Sequence, residues 1–151
     1  MKEISNQAAA AKAIRQELKK AFPTIKFSVT SESFAGGDSV DIRWTDGPTS
    51  DAVDAITRKY QYGHFDGMID LYEISNNRDD IPQSKYVMCQ RTLSDMARLH
   101  AKNEIINKFG LDSFEDKIIM EKFGCWPDTL IYRELQDKDL TLSMVSSSIL
   151  A

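Results

Sequence analysis

The residues best able to do chemistry lie close together in residues 59–73, in the stretch KYQYGHFDGMIDLYE. His64, Asp66 and Asp70 supply an imidazole and two carboxylates, which act as general acids and bases or as ligands of a hard cation. A turn entering a strand can place Asp66 near Asp70. Asp66 before Gly67 is also common turn chemistry, and Asp70 alternates with apolar neighbours as an exposed strand residue does. The pattern predicts either an enzyme or metal site, or a structural turn, and we favour the turn.

Aromatic residues in the same stretch predict a surface that stacks bases or binds a protein. These are Tyr60, Tyr62, Phe65 and Tyr72, with Trp44 expected nearby. For Trp44 and Phe65 the apolar neighbours favour a place in the core instead. The candidate binding surface that we take from this stretch consists of Tyr60, Gln61, His64, Phe65, Asp66 and Tyr72.

Basic residues near the amino terminus form a second candidate site. Lys12, Arg15 and Lys19 recur at helical spacing, and Lys20 follows them. Such a row can bind phosphates, although a solvated helix face produces the same pattern. The sequence therefore keeps nucleic-acid binding as an alternative.

Other chemistry has little support. The sequence contains no phosphate-binding loop, dinucleotide-binding glycine motif, hydrolase elbow or zincin motif. A zinc site would need Cys89, Cys125, His64 and His100 to converge without the short ligand spacing typical of such sites. A nucleophilic pair of Cys and His from remote segments stays open, but no motif selects it. We predict no cofactor and no metal.

Composition predicts a folded protein of one domain, or of one domain with a small appendage. The 151 residues are 42% hydrophobic and 28% charged, with a net charge of −4. Residues 1–30 carry six basic and two acidic groups, whereas residues 31–84 carry four basic and eleven acidic groups. No apolar run approaches a membrane span, and the start MKEISNQ lacks the features of a secretory signal. We expect a cytoplasmic location, with the two cysteines behaving as small hydrophobes.

Periodicity predicts the elements of the first part of the chain. A helix capped by Ser5 carries Ile14, Leu18 and Phe22 and ends before Pro23. Alternation in IKFSV and in VDIRW predicts two strands joined by a long, glycine-bearing loop. A second helix runs from Thr49 or Ser50 to about residue 62. Residues 63–67 are predicted to be an ordered turn, with Gly63 as a left-handed cap, followed by the strands IDLYEI and KYVMCQR.

The second part of the chain is predicted to be mainly helical. A helix beginning near Ser94 ends at Gly110, and Ser113 with Asp116 resembles a capping box for a shorter helix that ends at Gly124. The segment CWPDTLIYRELQDKDL fits a helix or a strand equally well. The final LSMVSSSILA is expected to be poorly anchored.

This order of elements predicts an α+β fold. We expect a mainly antiparallel sheet of about four strands with helices on one face, in a domain spanning residues 1–92, and a helical extension over residues 93–151. Leu18 and Ile56 should cover one face of the sheet, because both helices carry apolar stripes. The residues predicted on that face are Phe27, Val29, Val40 and Ile42.

Several blocks of the chain resemble a known family. IKFSVTSESFAGGDSVDIRWTDGPT, VDAITRKYQYGHFDGMIDLYE and DDIPQSKYVMCQR together resemble a large polyvalent protein-associated domain of type twenty-nine. The resemblance covers about residues 7–91. It implies a phage or conjugative-element context, in which such domains are often fused to other modules, and it carries no established catalytic set.

The functional hypotheses follow from these observations. The first is a non-enzymatic accessory protein of a phage, prophage or plasmid that binds a host or mobile-element protein, one such role being to counter host defence. The second is a nucleic-acid-binding accessory protein that uses Lys12, Arg15, Lys19, Lys20 and the aromatics. The third is an enzyme built on His64, Asp66 and Asp70. The sequence leaves the oligomeric state open.

Overall fold

A computed structural model describes residues 5–141, which form an α+β protein of five helices and five strands. The helices are α1 (Asn6–Ala21), α2 (Ser50–Thr57), α3 (Asp95–Phe109), α4 (Asp116–Phe123) and α5 (Pro127–Leu135). The strands are β1 (Ser28–Phe34), β2 (Gly37–Thr45), β3 (Gly63–Asp66), β4 (Leu71–Ile74) and β5 (Tyr86–Thr92). A short 3₁₀ helix, Arg58–Tyr60, follows α2 directly. The predicted weak anchoring of residues 142–151 lies outside the described residues.

The α+β class is confirmed, but the single sheet of about four strands is wrong. The strands form a three-stranded sheet in the order β1-β2-β5 and a separate two-stranded sheet, β3-β4. The predicted strand IDLYEI is shortened to β4, because Asp66 and Gly67 turn the chain so that β4 pairs back onto the residues just before it. Its partner is therefore β3, whose residues were predicted to form a turn.

The β1–β2 hairpin is tighter than the sequence predicted. The expected long loop is only Ala35 and Gly36, since Phe34 already pairs with Gly37. The segment SESF continues the first strand, because an exposed strand tolerates polar side chains such as those of Ser31, Glu32 and Ser33 on both faces. Antiparallel pairing then sets Val29 opposite Ile42 and Ser31 opposite Val40.

The apolar face predicted for this sheet is confirmed. Val29, Val40 and Ile42 are buried in one cluster with Leu18, and Phe27 and Ile56 pack against the same cluster while partly exposed. Phe27 itself lies one residue before β1. Arg15 of α1 donates from Nε and Nη2 to the Val29 carbonyl oxygen at 3.2 and 2.6 Å, which ties the helix to the strand.

The helices after residue 94 have a separate apolar cluster of Ala97, Ala101, Ile131, Leu135 and Leu140. Within residues 5–141 the chain divides into two compact units, residues 5–44 with 50–91, and residues 45–49 with 92–141. None of the helices within residues 5–141 has both the length and the apolar character that crossing a membrane requires.

Helix ends in the second unit show which local signals were sufficient. Gly110 and Gly124 adopt left-handed conformations with φ of 62° and 69°, which confirms both predicted caps. The proposed capping box is wrong, because Glu115 occupies the cap position of α4 without a side-chain capping bond. The ambiguous segment after Cys125 contains α5, with a proline in its first turn, where the missing N–H costs nothing.

Candidate functional site

The predicted binding residues fall on and beside the β3–β4 hairpin. The register sets His64 opposite Glu73, Phe65 opposite Tyr72 and Asp66 opposite Leu71. Since side chains alternate between the faces of a strand, Phe65, Tyr72 and Ile74 share one face, and His64, Asp66, Leu71 and Glu73 share the other. Tyr60 and Gln61 precede the hairpin. The predicted binding residues therefore do not form one surface. Those in the hairpin lie on its two opposite faces, and Tyr60 is buried.

Gly63 begins β3 instead of capping a helix, which corrects the predicted left-handed conformation. A Cβ atom at this position would collide with the Glu73 carbonyl oxygen and with the Tyr72 ring. Only glycine allows β4 and the Tyr72 ring to approach the backbone this closely. The glycine in the sequence therefore marks a close approach between two strands.

Tyr60 supports the core and is not exposed to a partner. It is buried, and its hydroxyl donates to Glu17 of α1, whose other carboxylate oxygen accepts from Lys59 Nζ at 2.7 Å. Burial and the Glu17 carboxylate raise the pKa of Tyr60 well above its usual range. Burial acts to raise the pKa of Glu17 as well, but hydrogen bonds from Lys59 and Tyr60 outweigh it and lower that pKa.

Gln61 and Tyr72 hold the hairpin in place. Gln61 Nε2 donates to the Gly63 carbonyl oxygen at 2.7 Å, and Gln61 Oε1 accepts from the Val87 N–H at 2.8 Å. The Tyr72 hydroxyl donates to the Lys85 carbonyl oxygen at 2.5 Å. Burial, with the neighbouring tyrosines, raises the pKa of Tyr72 to about 12, so its hydroxyl stays protonated as a donor. Both side chains act as fixed structural ties.

Aromatic rings form a row along this side of the unit. Tyr72 lies edge-on to Tyr62 and to Tyr86 at centroid distances of 5.9 and 5.5 Å, and Tyr86 stacks on Phe34 at 6.3 Å. Lys85 Nζ lies 5.0 Å from the Tyr72 ring centroid. Trp44 is instead buried in the core, where it packs against Phe27. The predicted stacking platform is thus mostly committed to internal contacts.

His64 lies in a polar trio with Ser75 and Glu73. His64 Nδ1 is 2.9 Å from Ser75 Oγ, and His64 Nε2 is 3.7 Å from Glu73 Oε2. The N–H groups of Ser75 and Asn76 both donate to the Tyr62 carbonyl oxygen, at 3.1 and 3.0 Å. The trio links the two ends of the hairpin.

Asp66 and Asp70 are turn residues. Asp66 Oδ1 accepts from the Met68 N–H at 2.9 Å, and Asp70 has a φ of 54°, in the left-handed region. Asp70 therefore precedes β4 and does not alternate within it, which corrects that part of the sequence analysis. Within residues 5–141 no group of three or more His, Cys, Asp or Glu residues could hold a metal ion.

An open groove of about 590 Å³ runs beside the hairpin. Its polar groups are largely bonded to one another, since Asn76 Nδ2 donates to the carbonyl oxygens of Lys59 and Gln61, both at 3.1 Å. These bonds join the residues just after β4 to the 3₁₀ helix, so the polar groups of the groove help to hold the hairpin in position. Its lining consists of Ala55, Arg58, Lys59, Gln61, Gly63, His64, Ser75 and Asn76.

The most unusual feature of the hairpin is its exposed apolar surface. Five large apolar side chains point to solvent: Met68 (94% exposed), Ile74 (68%), Leu71 (60%), Phe65 (56%) and Ile69 (51%). We call these five residues the hairpin patch. Phe65 and Ile74 lie on one face of the hairpin, Leu71 on the other, and Met68 and Ile69 in the turn between the strands. Exposed apolar side chains gathered on one element are a mark of interaction sites.

Only Phe65 of the hairpin patch was among the predicted site residues. The sequence did carry a signal for Met68 and Ile69, because both occupy a turn, where polar residues are the rule. The expected core location of Phe65 is wrong, because the two-stranded sheet carries this side chain away from the apolar cluster of the unit.

The basic residues of the alternative site lie on α1. Lys12, Lys19 and Lys20 are exposed, as a phosphate-binding row requires. Arg15 is engaged in part, since its Nε and Nη2 both donate to the Val29 carbonyl oxygen. The row therefore has three exposed ammonium groups available to a phosphate, whereas the Arg15 guanidinium also ties α1 to β1.

The environment of Cys89 disfavours its use as a nucleophile. Burial raises the pKa of the Cys89 thiol to about 12, with Asp54 adding to the effect. At neutral pH the side chain is therefore a thiol and a poor nucleophile. Cys125 is buried and free.

Comparison with known proteins identifies one relationship. The sequence model of a family described as Large polyvalent protein associated domain 29 matches residues 5–96, which include α1, α2 and all five strands. No curated protein and no solved structure gives a significant match.

Proposed function

The chain belongs to the family of large polyvalent protein associated domain 29, a family associated with phages and mobile elements, and on that premise we propose that it binds a partner protein through the hairpin patch. The protein is then a non-enzymatic accessory factor whose partner comes from the host or from the mobile element. One role that this context favours is counteraction of host defence.

The observation that carries the proposal is the exposure of five apolar side chains on one short hairpin. Exposing them to water is unfavourable by about 25 cal/mol for each Å² of apolar surface, and a partner that covers them recovers this free energy. The hairpin is held by side-chain bonds from Gln61, Tyr72 and Asn76, so little order has to be gained on binding. A preorganised apolar surface is what a protein interface requires.

The test compares two triple variants in affinity capture. The hairpin variant carries Met68→Ser, Leu71→Ser and Ile74→Ser, and the control variant carries Met96→Ser, Leu99→Ser and Trp126→Ser, at positions that are 52%, 56% and 59% exposed. Purified protein is immobilised, host lysate is passed over it, and retained proteins are quantified by mass spectrometry. A partner retained stoichiometrically is then titrated against each variant.

We expect the hairpin variant to lose at least about tenfold in affinity, since each buried apolar side chain contributes on the order of 1 kcal/mol or more. The control variant should bind as the unmodified protein does. Circular dichroism must show that all three proteins are folded. If no stoichiometric partner is retained, or if the control variant loses binding equally, the hairpin patch is not the interface.

Nucleic-acid binding is the second candidate, and the exposure of Lys12, Lys19 and Lys20 on α1 supports it. A gel-shift assay at low salt with single- and double-stranded DNA and RNA tests it. Binding that weakens with added salt, and disappears when the three lysines are changed to Gln, would favour this function. Absence of any shift at low salt eliminates it.

A further inference from the structure

The outer edge of β4 is open to a further strand. Within residues 5–141, β4 pairs only with β3, and the two strands form a complete sheet by themselves. The segment that leads into β3 already pairs with the residues around Ser84. The Tyr62 N–H donates to the Ser84 carbonyl oxygen, and the Ser84 N–H donates to the Tyr60 carbonyl oxygen. An open, exposed strand edge is a template for another strand.

The pairing pattern shows which backbone groups face outward. The Ser75 N–H bonds the Tyr62 carbonyl oxygen at 3.1 Å, and these residues are opposite each other when the β3–β4 register is extended by one position. Hydrogen-bonded and non-hydrogen-bonded pairs alternate along an antiparallel ladder, so Glu73 and Leu71 bond β3. Tyr72 and Ile74 therefore direct their N–H and C=O groups toward the open edge.

The side chains beside this edge differ between the two faces. Phe65, Tyr72 and Ile74 make one face apolar. On the other face, two carboxylates, Asp66 and Glu73, and one imidazole, His64, surround Leu71, so acidic groups outnumber basic ones. A strand added to β4 places its own alternate side chains over these two faces. The complementary strand therefore alternates apolar residues with lysine or arginine.

Charge argues against a second copy of the chain as the occupant. Each hairpin carries three carboxylates, Asp66, Asp70 and Glu73, with His64 as its only basic side chain. Pairing two β4 edges would bring six carboxylates together, and like charges across paired strands are destabilising. A basic partner gains attraction where a second copy meets repulsion.

We propose that the partner binds by adding an extended segment, alternating apolar and basic residues, as a third strand on the outer edge of β4. This inference rests on the proposed function and specifies how the hairpin is used. Main-chain hydrogen bonds to Tyr72 and Ile74 supply part of the affinity, and the two faces of the hairpin supply the specificity, as in other strand-addition complexes.

The probe is a short synthetic peptide that alternates valine and lysine. One control peptide alternates valine and glutamate, and another carries N-methyl groups on alternate residues of the valine–lysine sequence, which removes one edge of hydrogen-bond donors. Amide hydrogen exchange is followed residue by residue by NMR. The valine–lysine peptide should slow exchange at Tyr72 and Ile74, whereas Leu71 and Glu73, already bonded to β3, should change little.

A pair of variants separates backbone pairing from side-chain contact. Ile74→Pro and Ile74→Ala both remove the apolar side chain, but only proline removes the outward N–H donor. We expect Ile74→Pro to bind the peptide about tenfold more weakly than Ile74→Ala, because a backbone donor facing the edge is lost. Added salt should weaken binding of the valine–lysine peptide to the unmodified protein.

The inference is overturned if the glutamate peptide binds equally well, if the N-methylated peptide keeps full affinity, or if Tyr72 and Ile74 gain no protection. Concentration-dependent dimers in sedimentation velocity, with the same two amides protected, would assign the edge to a second copy instead. If strand addition fails but the hairpin triple variant still loses its captured partner, the proposed function stands and only the binding mode is wrong. The proposed function itself fails if the hairpin triple variant and the control triple variant capture the partner equally well.

Discussion

The two β-hairpins of the first unit are both antiparallel pairs of strands, but their apolar side chains differ in exposure. The β1–β2 hairpin has seven register pairs, and its residues Val40 and Ile42 are completely buried. The β3–β4 hairpin has four register pairs, and its residues Leu71 and Ile74 are mostly exposed. Apolar residues in a paired strand are therefore no proof of a core, and the difference lies in what covers them.

Their means of attachment differ as well. The first hairpin is covered by α1 and α2 through apolar contacts with Leu18 and Ile56. The second is held by directed hydrogen bonds, from Tyr72 to the Lys85 carbonyl oxygen and from the Val87 N–H to Gln61. Hydrogen bonds can fix an element in position without burying its apolar surface, which leaves that surface available for binding.

The largest expected effect is in the buried hairpin. Ile42→Ala should lower the free energy of unfolding by about 2 to 5 kcal/mol, because it leaves a cavity beneath the helices. Asp41→Ala, on the opposite face of β2, should cost little and serves as the matched control. Urea unfolding followed by circular dichroism measures both. Equal shifts of the midpoint would show that the register described here is wrong.

The next largest effect tests the tight approach within the exposed hairpin. Gly63→Ala should destabilise the protein by about 1 to 3 kcal/mol, because the new methyl group meets the Glu73 carbonyl oxygen and the Tyr72 ring. At Gly67, at the other end of β3, a Cβ would meet nothing within 4 Å, so Gly67→Ala should be nearly neutral. Thermal unfolding of the two variants gives the comparison. A neutral Gly63→Ala would mean that β3 and β4 are not paired as described.

A smaller effect on stability is expected from the hydrogen bond between Tyr60 and Glu17, and it depends on pH. The folded pKa of Glu17 is lowered, so Glu17 contributes stability that is present above its unfolded pKa and is lost as the pH falls through its folded pKa. Tyr60→Phe removes one of the two hydrogen bonds that lower this pKa, so NMR titration of Glu17 should show it move upward. The urea midpoint of the variant should then vary less between neutral and acidic pH. A Glu17 titration unchanged by the substitution would contradict the Tyr60 contact.

The smallest effect on stability is expected in the hairpin patch. Leu71→Ser should change the free energy of unfolding by no more than about 0.5 kcal/mol, because its side chain is mostly in water before and after the change. Differential scanning calorimetry at matched pH tests this against Ile42→Ala. A loss comparable to that of Ile42→Ala would mean that Leu71 is buried and that the patch is not a binding surface.

Local patterns predicted much of the first hairpin and the helices. Alternation in VDIRW was sufficient to predict which face of β2 is buried, whereas IKFSV placed the first strand too early, because β1 begins at Ser28. The glycines at residues 110 and 124 were sufficient to end two helices. These predictions succeed because each depends on a few consecutive residues, through side-chain alternation or through tolerance of a positive φ.

The candidate site was predicted less well. Tyr60, Gln61 and Tyr72 were chosen as a recognition surface, but they support the hairpin from inside the unit. His64 and Phe65 are exposed as a surface requires, and Asp66 holds the turn. Aromatic and amide side chains serve recognition and internal support equally well, so residue type alone does not separate the two roles.

The sequence by itself determined the α+β class, the membership of a mobile-element family and the acidic character of the middle of the chain, because these follow from local periodicity, shared blocks and charge count. Only the tertiary structure decided that four predicted strands divide between two sheets, that β3 exists, and that the apolar residues of β4 face water. The existence of β3 depends on a local pairing with β4 that the alternation pattern does not reveal, and the other two depend on residues distant in the chain. A pattern with a period of two fixes the face on which a side chain lies, whereas its exposure depends on which distant surface packs against that face.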